Sequence, residues 1–93
     1  MTDLEIIAKD IKLGIEEFLR RPIAPVCLHH DGNAAYCMIS EDLEYSVQQG
    51  YFVLKVNPLL EWREIPLAHP NLDWEIEKLI RSTLRELNIR LGR

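Results

Sequence analysis

Residues 26–45, VCLHHDGNAAYCMISEDLEY, decide how this chain folds. Asp31-Gly32 is among the strongest two-residue hairpin signals, because a type I′ turn needs positive φ at both central positions. A turn there joins two short strands within residues 26–39. It sets Leu28 opposite Ala35, Cys27 opposite Tyr36 and Val26 opposite Cys37. Ser40 then precedes Glu41-Asp42, the pattern of an N-cap hydroxyl followed by acids in a first helical turn. The expectation is a short helix over 41–49, with Leu43 and Val47 on one face and Gly50 as its C′ residue.

Downstream, Tyr51-Phe52-Val53-Leu54-Lys55-Val56 is a strong strand signal, ended by Asn57-Pro58. A third strand over 51–56 would stabilise the hairpin. Residues 57–71 hold three of the five prolines and no clear period. Leu59, Leu60, Trp62, Ile65 and Leu67 make the stretch too apolar for a free linker, and 60–65 can be a further short strand. Leu72, Ile76, Leu79, Ile80, Thr83, Leu84, Leu87 and Leu91 then mark a helix over about 72–91. Asn71 is its candidate cap. Glu75 with Lys78 and Glu77 with Arg81 are spaced for helical ion pairs.

Upstream, Leu4, Ile7, Ala8, Ile11, Ile15, Phe18 and Leu19 line one face of a helix over about 3–20. Thr2 and Glu5 have capping-box spacing. A competing reading makes residues 4–7 a short strand, which the β-branched pair Ile6-Ile7 permits. Pro22 ends the helix, and Pro22-Ile23-Ala24-Pro25 is an extended connector. The fold class is therefore α+β: a small antiparallel sheet packed by two longer helices and one short one.

With 93 residues, 47% of them apolar, the chain suits one folded domain. A net charge of −4 supplies no global basic field toward nucleic acid or anionic lipid. No secretory leader and no apolar run near 18 residues stands out, so a cytoplasmic, non-membrane protein is expected. The two cysteines, Cys27 and Cys37, fall on opposite faces of the hairpin and read as free thiols.

Residue chemistry points away from catalysis. His29 and His30 are adjacent on a strand and face opposite ways, so they cannot close on one metal ion. No CxxC or HExxH spacing is present, and no metal or cofactor is expected. Cys27 and His29 share a strand face, yet nothing marks an oxyanion hole or an orienting third residue. Lys9, Lys12, Arg20 and Arg21 are the densest basic set in the first half, either a solvated helix face or contacts to phosphates. Trp62 and Trp74 flank the proline-rich stretch, and tryptophan serves both cores and interface hot spots.

The stretch PVCLHHDGNAAYCMISEDLEY resembles the core signature of Phd/YefM-type antitoxins. Its parts are Pro25-Val26, Asp31-Gly32, Ala34 to Ile39, Ser40, and the acidic run Glu41-Asp42-Leu43-Glu44-Tyr45. The segment from Glu5 to Arg21 looks like that family's amino-terminal strand and helix. The resemblance implies a homodimerising half, residues 1–50, that binds operator DNA, and a half from about residue 51 that neutralises a toxin-like partner protein. Lys12 falls near a basic helix residue that the family uses on DNA. His29 and His30 fall where the family usually carries a basic residue before the turn. The DNA-binding set is then Lys9, Lys12, Arg21, His29 and His30. The partner-binding set is Tyr51, Phe52, Leu60, Trp62, Ile65 and Trp74. The alternative is a small adaptor or assembly subunit with no DNA role, docking through its apolar 51–67 segment.

Overall fold

A computed structural model describes residues 3–93. The order of elements is α1 (Asp3–Leu19), β1 (Cys27–Leu28), β2 (Ala34–Met38), β3 (Leu43–Gln48), β4 (Tyr51–Val56), β5 (Glu61–Pro66) and α2 (Leu72–Arg90). The strands form one antiparallel meander, each paired with its neighbours in sequence. The α+β class stands. Thr2, and with it the proposed capping box, lies outside the described residues.

The main correction falls on residues 41–49. They form no helix; Leu43–Gln48 is strand β3. Leu43 and Val47 are four apart, which fits a helical face and a strand face equally. Tyr45 breaks the tie, because Leu43, Tyr45 and Val47 are all buried while Glu44, Ser46 and Gln48 are not. That is strict alternation, the period of a strand. The Ser40 hydroxyl accepts the Asp42 N–H at 3.3 Å, but it closes a turn between β2 and β3 instead of capping a helix. Gly50, at φ +88°, completes the two-residue turn between β3 and β4.

The first hairpin keeps the expected register, Cys27 opposite Tyr36 and Leu28 opposite Ala35. Its turn is not type I′. Gly32 has φ +75° and Asp31 stays at negative φ. The Gly32 N–H donates to the His29 carbonyl at 2.8 Å, so the turn spans His29 to Gly32. Asp31 instead accepts the Asn33 N–H through its side chain at 2.9 Å.

Residues 4–7 are helical, so the strand alternative for them is set aside. Arg20, at φ 58°, ends α1 before Pro22 is reached. Glu16 then accepts the Ile23 N–H at 2.9 Å and ties the connector back to the helix. Asn71 occupies the N-cap position of α2 without a side-chain bond. The Glu75–Lys78 and Glu77–Arg81 pairs form, at 3.3 and 3.1 Å.

Both helices cover the same face of the sheet. The Tyr45 hydroxyl reaches α1, donating to the Ala8 carbonyl. Arg63 on β5 reaches α2, donating to the Thr83 hydroxyl at 2.9 Å and pairing with Glu86. Between them lies one core: Ala8, Ile11 and Ile15 from α1, Ile76, Ile80 and Leu87 from α2, and the inward residues of the strands. The Tyr45 and Phe52 rings stack at its centre, 5.4 Å apart. The result is two layers, helices on one side and an uncovered sheet face on the other.

Candidate protein-binding face

Strand alternation and register determine what the uncovered face carries. Three rows of side chains cross it. One runs Met38, Glu44, Lys55, Trp62 from β2 to β5. The next runs Cys27, Tyr36, Ser46, Val53, Glu64. The third runs Ala34, Gln48, Tyr51, Pro66. Trp62 is 65% exposed, Met38 49%, Tyr51 45% and Tyr36 37%. Large apolar groups on one sheet face with no layer over them form a patch of the kind that marks interaction sites.

Charge on this face is sparse and unpaired. Glu44 stands directly opposite Lys55 across β3 and β4. Among the described residues, Glu44, Lys55 and Glu64 make no ion pair, whereas Lys12, Arg63, Arg81, Arg90 and Arg93 all do. The face thus holds charges of both signs, beside aromatic rings, with no internal partners.

The structure divides the predicted partner-binding residues. Tyr51 and Trp62 lie on the open face together. Phe52 and Ile65 do not join them: both are buried core residues, in phase with Leu54 and Arg63 on the inward side. Leu60 follows the 3₁₀ turn Asn57–Leu59 at the end of the sheet, with φ 54° and its side chain 83% exposed. Trp74 belongs to the opposite layer, exposed on α2 beside a cleft of about 560 Å³ between the helices. Ile11, Gly14 and Phe18 line that cleft, and Glu17, Arg20, Asp73, Glu77 and Arg81 supply its charges. Arg81 lies over the Phe18 ring and pairs with Glu77, and Lys78 lies over Trp74.

The predicted DNA-binding residues are not gathered into one surface. Lys9 pairs with Glu5 at 3.9 Å and Lys12 with Glu16 at 2.9 Å. Arg21 donates to the Ile39 carbonyl at 3.2 Å, just past the end of β2. His29 and His30 sit at the other end of β2, their rings 4.4 Å apart. At about 3.4 Å per residue, the two ends of that strand are separated by roughly 17 Å. His29 Nδ1 lies 2.9 Å from Asp31, whose carboxyl is held below its ordinary range by the Asn33 N–H and by His29.

Sequence reasoning missed Tyr36, Met38, Glu44 and Lys55 as members of this face. The available signal was alternation in β2, where Ala35 and Cys37 are buried and the larger Tyr36 and Met38 face out. Hydropathy and size point the wrong way there. Small residues line the inside of β2 because α1 packs against that strand.

Among the described residues, the face carries no nucleophile–base pair: the Cys27 thiol donates to the Pro25 carbonyl, and the Ser46 hydroxyl accepts from Gln48. Among the described residues, no group of three or more His, Cys, Asp and Glu side chains could hold a metal ion. No helix among the described residues is long and apolar enough to cross a membrane. In comparisons with protein-family models, curated proteins and solved structures, the chain has no match.

Proposed function

We propose that this chain is a non-enzymatic interaction module, a small adaptor or assembly subunit that binds another protein surface through its open sheet face. One observation carries the reading: Trp62, Tyr36, Met38 and Tyr51 stand exposed on the single face that no helix covers. Aromatic and methionine side chains are the types enriched at protein interfaces. A sheet face without a layer over it offers a small ligand little enclosure, and the sparse charges favour a protein over a polyanion.

An operator-binding antitoxin role has less support. The acidic helix that the Phd/YefM resemblance implies is strand β3. Lys9 and Lys12 already face carboxylates, so they bring little free positive charge to phosphates.

The test is co-expression with the products of neighbouring reading frames, together with measurement of self-association, for the wild type and Trp62→Glu. An association that Trp62→Glu abolishes is expected. If no association depends on Trp62, the reading fails. A gel shift with the DNA upstream of the gene, retained in Trp62→Glu and lost in Lys12→Ala, would favour the operator-binding role instead.

A further inference from the structure

We infer that the occupant of the open face is a second copy of this chain, stacked sheet against sheet about a two-fold axis parallel to the strands and centred between β3 and β4. The inference rests on the reading of that face as a docking surface. Its basis is the pattern of side chains along the rows.

Such an axis keeps each row level and reverses the strand order. It lays β3 on β4 of the second copy and β2 on its β5. Glu44 then faces Lys55 of the second copy, and Lys55 faces its Glu44. Met38 meets Trp62 of the second copy twice over, a sulfur–aromatic contact. Gln48 meets Tyr51, an amide beside a phenol hydroxyl. Ser46 meets Val53. An isologous interface must be complementary to itself, and here the Glu44–Lys55, Met38–Trp62 and Gln48–Tyr51 contacts pair opposite charges, apolar groups and polar groups, while Ser46 faces a Val53 already buried within its own chain. Centring the axis on β3 would set Glu44 on Glu44, and centring it on β4 would set Lys55 on Lys55, so the charges favour an axis between the two strands. The roughly 30° rotation usual for aligned sheets displaces the outer columns most and the central β3–β4 columns, which hold Glu44 and Lys55, less.

The charges support this occupant independently. Glu44 and Lys55 are cross-strand neighbours that make no ion pair with each other. Each is therefore available to a group from outside. A purely basic or purely acidic partner would satisfy one and oppose the other.

Size sets the expected strength. Four overlapping strands of about 4.8 Å width and six residues of about 3.4 Å outline roughly 400 Å² per copy. Side-chain relief enlarges that toward the lower end of specific interfaces. Self-association should be reversible and depend on concentration.

Sedimentation velocity across a wide concentration range provides the measurement. The wild type is expected to pass from monomer to dimer. Lys55→Glu and Glu44→Lys should each weaken self-association about tenfold or more, and the double exchange should recover most of the loss. Both positions are partly or wholly exposed, and circular dichroism melts establish that each of the three variants folds. As a second readout needing no charge variant, Trp74→Phe leaves Trp62 as the only tryptophan, and its emission should shift blue as the dimer forms. A wild type that stays monomeric at every concentration overturns the inference, and the docking reading survives if a different protein binds in a Trp62-dependent manner. A dimer indifferent to Lys55, Glu44 and Trp62 overturns the inference, and the docking reading also falls if no other association depends on Trp62.

Discussion

The Tyr45 hydroxyl donates a 2.7 Å hydrogen bond to the carbonyl of Ala8, joining the middle strand of the sheet to α1 through the centre of the core. Both residues are fully buried. Burial pushes the phenol's pKa far up, so the hydroxyl stays protonated and keeps donating at neutral pH. Tyr45→Phe keeps the ring stacked on Phe52 and removes only this bond. The expected loss is about 1 kcal/mol, read from the urea midpoint at unchanged slope.

Leu60 holds a left-handed backbone, φ 54° and ψ 40°, that L side chains other than Asn and Asp rarely adopt. Its exposed side chain offsets little of that strain. Leu60→Gly should raise stability by about 0.5–1 kcal/mol, net of the added freedom of the unfolded chain. Leu60→Val should lower it. Thermal melts of the two variants should therefore move in opposite directions.

Stability should fall in acid. The Ile23 N–H, and then Lys12, hold the Glu16 carboxyl below its ordinary 4.5. Arg90 and Arg63 do the same for Glu86, and Arg93 lowers Asp42 from 3.8. A depressed folded pKa means the unfolded chain takes up protons first. The stabilisation is therefore complete above about pH 4.5 and is lost as pH falls through the folded values. Glu16→Gln should flatten this acid limb, as followed by denaturation midpoints from neutral pH downward.

The two thiols should differ sharply in reactivity. Cys27 is exposed, whereas Cys37 is buried, with burial pushing its thiol pKa up and its Sγ 3.1 Å from the Ala24 carbonyl. An aromatic disulfide reagent should titrate one thiol in the native protein and two in denaturant. Cys27→Ser should leave none reactive before unfolding.

What could be read from the sequence followed from whether one local rule decided it. The first hairpin has the register that the Asp31-Gly32 pair predicts, although a longer turn delivers it. The long helices were legible because seven or more apolar positions repeat at helical spacing. Residues 43–48 were not, since Leu43 and Val47 satisfy two periods and the serine–acid pattern before them serves a turn as readily as a cap. The open face was half visible. Tyr51 and Trp62 stood out by residue type, but Phe52 and Ile65 did too. Separating them requires knowing which side the helices cover, and that is settled by packing between elements far apart in the chain.

Because each strand lies beside the next one in sequence, the sheet closes no long loop as it assembles. Contacts between residues near in sequence assemble quickly. Every ladder from β1 to β5 can zip as the polypeptide leaves the ribosome, with α1 already at hand to shield its inner side. Because α2 follows all five strands, the growing chain briefly shows apolar surface on both sides of the sheet, and Arg63 waits for Thr83 and Glu86 until residues 83–86 emerge.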